Sequence, residues 1–286
     1  MRFGFVVPHG DARDFAQVAA LGERHGWDGV FTWEAVWGVH AWVTLGAASM
    51  VTERIRLGTL LTPVSRWKPW DLASAAGTVD RLSGGRVILG AGLGALHGGW
   101  TAFEADEGRR ARAEKLDECL AIYAGLMRGQ PFSYHGTYYS AEPTDFMPPD
   151  PPVQRPHPPV WMVGAYVAGR DRQPSLDRAA RWDGLLPQII DSGGARHVGS
   201  PGELADLVGL VRSRRAPGLG GAPYDVVIEA DSTGEFVQLD PPDPASWEAA
   251  GATWWIESWW TIQAGAEGLE EVRRRVRAGP PAGSLR

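Results

Sequence analysis

Two glutamates in this sequence stand among tryptophans, a combination that favours proton transfer. Glu34 directly follows Trp33 and lies shortly before His40, and Glu257 lies within the run TWWIESWW. A carboxylate surrounded by indoles is poorly solvated, which raises its pKa and suits it to exchange protons near neutral pH. We therefore take Glu34, His40 and Glu257 as catalytic candidates, against the simpler reading that the glutamates form ordinary ion pairs or cap helices.

A glycine-rich stretch, GAGLGA, begins at Gly90 and fits the loose GxGxxA form of a dinucleotide-binding fingerprint. In that fold a strand ending in an acid follows within about 20 residues. Here the helical pattern RRARAEKLDECL follows instead. We interpret the glycines either as a strand end where a flat ring or a phosphate group approaches the backbone, or as a turn that requires small residues.

Other common chemistries lack the residues that they require. The seven histidines form no HxH or HExxH pair, and the chain has no GxSxG elbow and no Walker A motif. The sequence therefore predicts no metal site. The single cysteine, Cys119, stands at helical spacing with Leu116, Leu120 and Tyr123, so we predict an inert thiol in the core.

The composition of the chain limits the classes of partner that it can bind. With 44% hydrophobic and 22% charged residues, a net charge of -6 and a pI of about 5.7, the chain reads as a globular protein without a broad basic surface. We expect a small-molecule substrate and neither nucleic acid nor membrane as partner. No window holds the ~18 apolar residues of a spanning helix, and the N-terminus lacks a signal-peptide pattern, so we expect a cytoplasmic protein.

These residues must be positioned by a regular alternation of strand and helix. Strands are predicted at 2–7, 29–33, 55–61, 86–91, 160–164, 184–186, 224–230 and 253–257, and helices at 14–25, 42–51, 72–82, 109–127, 175–181, 201–215, 244–250 and 268–278. Such alternation predicts an α/β fold, a (β/α)8 TIM barrel in which residues 1–286 form a single domain. A doubly wound open sheet is the competing architecture. In a barrel, the chemistry belongs at the carboxyl ends of the strands.

Residues 129–159 form an irregular, proline-rich excursion between the fourth helix and the fifth barrel strand. The excursion begins with PFSYHGTYYS, which predicts a hairpin, and continues into PPDPPVQRPHPP. It is far longer than a usual helix-to-strand connection. We expect a lid, an oligomer contact that would allow a homodimer, or a plain surface excursion.

Several stretches, taken in order, resemble one family. They are RIRLGTLLTPVSRWKPWDLASAAGTVDRLSGGRVILGAGLGA, RARAEKLDECLAIYAGLMRGQPFSYHGTYYS, PVQRPHPPVWMVGA and AARWDGLLP. Over about residues 2 to 278 the chain is similar to the luciferase-like monooxygenases. The resemblance implies a (β/α)8 barrel and a reduced cofactor, either FMN or the deazaflavin F420.

The resemblance also implies the positions of the cofactor contacts. In this family the third strand ends in a bulge, often with a cis non-prolyl peptide, that supports one face of the flavin ring. The candidates for the ring are Thr59, Leu60, Leu61 and Thr62, and Trp33 is a further cofactor-binding candidate. Along the ribityl and phosphate portion, with backbone N–H groups as donors, the candidates are Gly92, Gly94, Ala95, Gly164, Ala165 and Tyr166. Arg112 is either a phosphate partner or a solvated arginine on a helix face.

The chain departs from the family's pattern at two places. Many F420-dependent members end the second strand in Asp-His, whereas this chain reads Trp33-Glu34-Ala35. Many also place a glutamate after the glycine-rich fourth strand, whereas Gly94 is followed here by Ala95. These departures disfavour an F420-dependent sugar-phosphate dehydrogenase.

The leading hypothesis is a flavin- or F420-dependent oxidoreductase that transfers hydride to, or activates oxygen for, a small organic substrate, and the absence of a pyridine-nucleotide motif favours F420. Two other classes stay open. One is a TIM-barrel glycoside hydrolase, for which Glu229 and Glu257 would be the paired carboxylates. The other is a non-catalytic flavin-binding protein.

Overall fold

Strand and helix alternate along the chain as the sequence pattern predicts. The computed structural model describes residues 1–197, 199–219, 221–235, 239–240 and 243–281. In chain order the elements are β1 (Arg2–Val6), α1 (Ala12–Arg24), β2 (Gly29–Thr32), α2 (Ala41–Ser49), β3 (Arg56–Pro63), α3 (Pro69–Ser83), β4 (Val87–Gly92), α4 (Gly108–Arg128), β5 (Tyr134–His135), β6 (Ser140–Ala141), β7 (Val160–Val167), α5 (Pro174–Ala179), β8 (Gly184–Ile190), β9 (Arg196–His197), α6 (Pro201–Arg214), β10 (Asp225–Ala230), α7 (Pro244–Ala249), β11 (Trp254–Glu257) and α8 (Ala266–Ala278).

Eight of these strands close into a parallel barrel. They pair in the order β1, β2, β3, β4, β7, β8, β10 and β11, and β11 pairs with β1 again, with Arg2 opposite Trp254. This closure confirms the TIM barrel and excludes the open doubly wound sheet. The short strand β9 pairs with β8 in the antiparallel direction, outside the barrel ring.

Helix starts follow local capping chemistry. At the start of α6 the Ser200 hydroxyl accepts the Glu203 N–H at 3.3 Å, and the Glu203 carboxylate accepts the Ser200 N–H at 2.9 Å. This reciprocal pair is the capping box that the sequence predicts. Asp11 and Asp14 form the same arrangement at the start of α1. Short capped helices of this kind return the chain to the next parallel strand.

The barrel lumen is filled by one cluster of side chains to which every barrel strand contributes. Its members are Val6, Phe31, Leu60, Ile88, Trp161, Leu186, Val227, Trp254 and Ile256. Three of them are large rings in mutual contact: the ring centroids of Phe31 lie 5.4 Å from Trp161 and 5.9 Å from Trp254, and the two tryptophans are 5.2 Å apart. We call these three residues the aromatic plug.

Glycines on the same inner face make room for the aromatic plug. A Cβ on Gly58 would lie 2.7 Å from the Phe31 ring, and one on Gly184 would lie 2.5 Å from Trp161 Cδ1. Gly4 and Gly29 are equally close to Phe31, at 2.9 Å. The amino-terminal half of the lumen is therefore solid, and the floor of any pocket at the carboxyl ends lies on it.

A second, larger cluster fills the space between the barrel and the helices. Cys119 of α4 belongs to it and is fully buried, which confirms the predicted core thiol. Burial raises the pKa of Cys119 to about 12, so the thiol stays protonated. Among the described residues, no helix combines the length and the apolar composition that crossing a membrane would require.

The excursion between α4 and β7 contains the predicted hairpin, because β5 and β6 pair with each other. It is held onto the barrel by two carboxylates. Glu118 of α4 accepts the N–H groups of residues 137–139 at 2.7 to 2.9 Å, and Asp80 of α3 accepts those of Val153 and Gln154. The excursion is therefore anchored at both of its halves. Its role as lid, oligomer contact or plain surface segment stays a prediction.

Adding a methyl group to the lower lumen tests the packing around the aromatic plug. We expect Gly58→Ala and Gly184→Ala each to lower the free energy of unfolding by ~1–3 kcal/mol, because the new Cβ overpacks the lumen. Gly209→Ala in α6 is the matched control, since a Cβ there meets nothing within 4 Å and alanine favours a helix by ~0.5–1 kcal/mol. Urea unfolding measures all three. Unchanged stability of Gly184→Ala would contradict a filled lumen.

Candidate active site

The third barrel strand is irregular at its carboxyl end. Thr59 lies opposite Leu89 and Thr62 opposite Ala91, so that Leu60 and Leu61 together face a single residue, Gly90. The peptide bond between Leu60 and Leu61 is cis. Two residues against one is the pattern of a β-bulge. The structure thus contains the irregular strand end that the family resemblance implies.

Two threonine hydroxyls tie the bulge to β4. The Thr59 hydroxyl accepts the Gly90 N–H and donates to the Gly90 carbonyl, both at 3.2 Å, and it accepts the Thr62 hydroxyl at 3.1 Å. Gly90 cannot be replaced here without movement, because a Cβ would lie 2.2 Å from the Thr59 carbonyl oxygen. Both threonines are fully buried. Their role is to fix the bulge rather than to contact a ligand directly.

Both leucines of the bulge face the lumen. Leu60 belongs to the inner cluster, above the aromatic plug. Leu61 is half-buried and lies over Gly92, where a Cβ would be 2.9 Å from Leu61 Cδ2 and 3.3 Å from Val163 Cγ2. We call Leu60 and Leu61 the leucine shelf. It offers a smooth apolar surface at the barrel mouth.

Glu229 of β10 faces the lumen from the other side of the barrel. Side chains alternate along a strand, and Val227 belongs to the inner cluster, so Glu229 points inward too. Its carboxylate accepts the Trp260 indole N–H at 3.1 Å. Burial raises the pKa of Glu229, and the bonds from Trp260 and Ser258 offset only part of that effect. The sequence interpretation used Glu229 only for the glycosidase alternative, although counting by twos from Val227 places it in the lumen.

Glu34 and His40 lie together in a cleft beside the barrel mouth. The cleft has a volume of about 400 Å³ and is lined by residues 34–41, 66–68 and 71. Glu34 Oε1 accepts the Trp67 indole N–H, while Oε2 is buried without a hydrogen-bond partner. The His40 ring meets Trp67 edge-on, 6.0 Å between ring centroids. Trp67 therefore joins the two predicted catalytic residues, and sequence reasoning did not include it.

Burial is the largest influence on Glu34 and raises its pKa. Nearby Thr62, Trp67 and Trp42 and the positive charge of Arg66 act in the opposite direction but do not cancel it. Because Trp42 belongs to the core layer outside the barrel, Glu34 lies over the rim of the mouth rather than in the lumen. The carboxylate is thus an acid of raised pKa in an open cleft of substrate size.

The loop that carries Trp67 is also held by the excursion. The Tyr139 hydroxyl donates to the Trp67 carbonyl at 3.3 Å, and the Cys119 thiol approaches the same oxygen at 3.8 Å. The indole side of Trp67 holds Glu34 and its backbone side holds Tyr139. The position of Glu34 therefore depends on a contact from the excursion.

Glu257 occupies a different environment from the one expected. Trp254 and Ile256 of β11 face the lumen, whereas Glu257 faces outward, where its carboxylate accepts the indole N–H groups of Trp255 at 2.9 Å and Trp259 at 3.1 Å and a backbone N–H at 2.9 Å. The residue is 1% exposed. We correct the expectation accordingly: Glu257 braces β11 against the outer layer and does not reach the barrel mouth. Glu229 and Glu257 point to opposite faces of the sheet, which removes the paired carboxylates of a glycosidase.

Of three predicted contacts on β7, only one side chain faces the lumen. Gly164 lies against α5, where a Cβ would be 3.2 Å from Leu176 Cδ2 and 3.3 Å from Ala179 Cβ, and Tyr166 packs on the outer core. Ala165 faces inward, but its N–H already donates to the Ser175 hydroxyl at 3.0 Å. The expected backbone donor at Ala165 is therefore occupied. Gly164 and Tyr166 face away from the lumen because side chains alternate between the two faces along a strand.

The segment after β4 lies beside a cationic group of α4, Arg112. Gly94 has φ +74° and lies against Pro63, and the Ala95 carbonyl accepts the Trp100 indole N–H at 3.1 Å. The Arg112 guanidinium stacks on Trp100, 5.3 Å from the ring centroid. Its Nε and Nη1 are buried without a hydrogen-bond partner, although Asp106 Oδ1 lies 3.5 Å from Nε. Unmet donors of this kind suit a phosphate group.

Trp33 lies half-exposed at the rim of the mouth. Its indole N–H donates to the Pro8 carbonyl at 2.7 Å, which links the ends of β1 and β2. Within the residues that the structure describes, no group of three or more histidine, cysteine, aspartate or glutamate side chains is arranged to hold a metal ion. The mouth thus combines an apolar shelf, a carboxylate and a cationic edge.

Comparison with known proteins identifies the family. The sequence model of the luciferase-like monooxygenases matches residues 1–187. The chain belongs to the luciferase-like monooxygenase family.

Two curated relatives share the name F420-dependent glucose-6-phosphate dehydrogenase. The relative from Beutenbergia cavernae is 36% identical over 152 residues, which are 49% of this chain and 45% of the relative. The one from Microbacterium testaceum is 33% identical over 156 residues, 50% of this chain and 46% of the relative. The chain spans about half the length of the curated relatives it matches.

Solved structures share the fold over nearly the whole chain. A monooxygenase from Streptomyces bottropensis superposes with a TM-score of 0.71 at 19% identity, covering 97% of both chains. A coenzyme F420-dependent tetrahydromethanopterin reductase from Methanopyrus kandleri gives a TM-score of 0.69 at 16% identity, covering 96% of this chain and 97% of that one. At these identities the likeness concerns the barrel fold.

We expect replacement of Glu229 in β10 and of Glu257 in β11 to change stability in opposite directions. The raised pKa of Glu229 means that its contribution is favourable below the pKa of an unfolded glutamate and is lost as the pH rises through the folded pKa. We expect Glu229→Gln to be more stable than the wild type at pH 7, with the difference shrinking towards pH 4. Glu257→Gln should lose ~1–3 kcal/mol at pH 7, because one amide oxygen cannot serve three donors.

Urea unfolding at pH 4 and pH 7 measures both variants. A Glu229→Gln protein that is less stable than the wild type at pH 7, by the same amount as at pH 4, would contradict the burial of an ionised carboxylate in the lumen.

Proposed function

We propose that this protein is an oxidoreductase that uses the deazaflavin F420, with the reduced ring held on the leucine shelf. The observation that carries the proposal is the bulge of β3, which turns Leu60 and Leu61 into an apolar surface at the carboxyl end of the lumen. A flat ring needs such a surface on one face and polar groups at its edge. The lumen supplies Glu229 and the Trp260 indole opposite the shelf.

The residues present fit a cofactor with a phosphate-bearing tail. Nε and Nη1 of Arg112 are buried without a hydrogen bond, with Asp106 Oδ1 3.5 Å from Nε, and an anion would satisfy these donors. Gly92 and Gly94 leave no Cβ between the shelf and the cationic edge of the mouth. When bound, reduced F420 supplies a hydride, and the aromatic plug keeps water from reaching the site from below.

The choice of F420 over FMN draws on the sequence relatives, whose names refer to F420. We do not propose glucose 6-phosphate, the sugar phosphate in the names of these relatives, as the substrate of this chain. This chain has Glu34 at the end of the second strand, where many F420-dependent members have Asp-His, and Ala95 after the fourth strand, where many have a glutamate. We propose a small organic substrate that binds in the cleft of about 400 Å³ beside the mouth.

Within that cleft we assign proton transfer to Glu34. Trp67 orients the carboxyl group through Oε1, and Oε2, although buried, has no hydrogen-bond partner. Its raised pKa brings the acid and base forms closer to balance near neutral pH. His40 lines the same cleft and contributes its ring to the substrate wall.

Cofactor titration tests the proposal. We expect purified protein to quench F420 fluorescence with saturable binding, and Arg112→Gln to weaken that binding by about tenfold or more, because a charge-assisted bond to phosphate is lost. Arg109→Gln is the matched control, since Arg109 lies on the same helix and is exposed. Parallel titration with FMN compares the cofactors.

Tighter binding of FMN than of F420 would overturn the choice of cofactor. Binding of neither would overturn the proposed function, and equal weakening by Arg112→Gln and Arg109→Gln would mean that Arg112 acts only through net charge.

The role of Glu34 is tested by turnover. F420 is incubated with a panel of small alcohols, and its reduction is measured as loss of F420 absorbance. In a second panel, reduced F420 is incubated with small carbonyl compounds. We expect Glu34→Gln to lower kcat by ~10²–10⁴ and to remove one limb of the pH–rate profile, with unchanged cofactor affinity. Glu267→Gln, the same substitution at an exposed position on α8, is the control and should retain activity.

Full activity of Glu34→Gln would remove Glu34 from the reaction, and loss in Glu229→Gln alone would move proton transfer into the lumen. Tight cofactor binding without turnover in either panel would favour the non-catalytic flavin-binding alternative.

A further inference from the structure

A second cleft lies at the opposite end of the barrel from the leucine shelf. It has a volume of about 320 Å³ and opens between the first residues of β1 and β3 and the turn from α1 to β2. Four arginines and two acids line it: Arg2, Arg24, Arg54, Arg56, Glu23 and Asp28. We call it the basal cleft. Nothing in the proposed oxidoreductase function requires it.

Four arginines of the basal cleft form no ion pair at salt-bridge distance within the described part of the chain, although acids lie near two of them, Glu23 near Arg54 and Asp225 and Asp80 near Arg56. Among the described residues, the ion pairs of arginine involve other members of the chain and none of Arg2, Arg24, Arg54 or Arg56. Arg2, Arg24 and Arg54 are exposed, and Arg2 lies over the Trp254 ring at 5.5 Å. The chain as a whole has a net charge of -6, whereas these four arginines give the cleft a local excess of positive charge.

The two acids of the basal cleft are already engaged with the backbone. Glu23 accepts the N–H groups of residues 53–55 at 2.5 to 3.2 Å. Asp28 accepts the Phe3 N–H at 2.9 Å. Both carboxylates hold loops in place, so the guanidinium groups remain available to a ligand.

The half-buried Arg56 shows the same excess of positive charge. Its Nη1 donates to the Gly85 carbonyl and to Gln154 Oε1, both at 3.1 Å. Burial and then the charge of Arg2 lower the pKa of Arg56, and Asp225 and Asp80 counter them only in part. Asp225 is itself held by the Trp161 indole and the Thr253 hydroxyl.

We propose that the basal cleft binds a small molecule that carries phosphate groups. Its volume falls at the lower end of the ~300–1,000 Å³ that small-molecule sites occupy, which is more than a simple ion requires. Arginine offers planar, paired donors that match phosphate oxygens, and several in one concavity focus the field on an anion. Trp27 and Ile55 lie beneath the cleft as buried core residues, so its ligand-facing surface is mainly that of the arginines.

Calorimetric titration of the full chain with inorganic pyrophosphate at low ionic strength tests this site. We expect saturable binding that weakens steeply with salt and that falls by about tenfold or more in the double variant Arg2→Gln with Arg54→Gln, because both lost groups are charged donors. Arg212→Gln, an exposed arginine on α6, is the matched control and should bind as the wild type does. Circular dichroism verifies that each variant is folded.

Arg112→Gln separates the basal cleft from the proposed cofactor site, since Arg112 is our phosphate partner there. Pyrophosphate binding that survives Arg112→Gln and fails in the Arg2/Arg54 variant supports the basal cleft, whatever the cofactor titration shows. Binding that is lost in Arg112→Gln alone, or no binding to the wild type, overturns it. Equal affinity for citrate overturns the assignment to phosphate.

Discussion

The architecture depends on how the amino-terminal half of the lumen is filled. Phe31, Trp161 and Trp254 contact one another there, and they fit only because neighbouring strands carry glycine on the inner face. Large rings opposite missing side chains reach interior packing density without bending the strands. One end of the barrel is thereby solid, and everything that binds on the barrel axis must do so at the other end. Leu60 lies directly on this filled layer, so the plug also sets the depth of the mouth.

Much of the fold can be predicted from the sequence because the signals are local and repeated. Eight strands and eight helices follow from hydrophobic periodicity and from caps such as Ser200 with Glu203. The bulge at Leu60 and Leu61 does not follow from periodicity; it was expected from the family resemblance. Its physical cause is visible only in three dimensions, where Gly90 admits the Thr59 carbonyl.

The face of each strand-end residue was harder to predict. Barrel strands are buried on both sides, so they read as continuous apolar runs without a polar alternation to mark the inner face. Glu257 and Gly164 were therefore expected at the mouth although they face outward, and Glu229 was assigned only to the glycosidase alternative although it faces inward. An error of one residue in assigning the two faces of a strand moves every side chain to the opposite face. Assigning the inner face of each strand from the residues around the aromatic plug would have placed all three residues on the correct face.

The contact between Tyr139 and the Trp67 carbonyl has a consequence for variation of the sequence. It joins the proline-rich excursion to the loop after β3, across 72 positions of the chain, and Trp67 in turn holds the carboxyl group of Glu34. A shorter or longer hairpin would displace Tyr139 and so alter the shape of the cleft without any change in its lining residues. Across homologues, the length of the excursion and the residue at the Trp67 position should therefore covary.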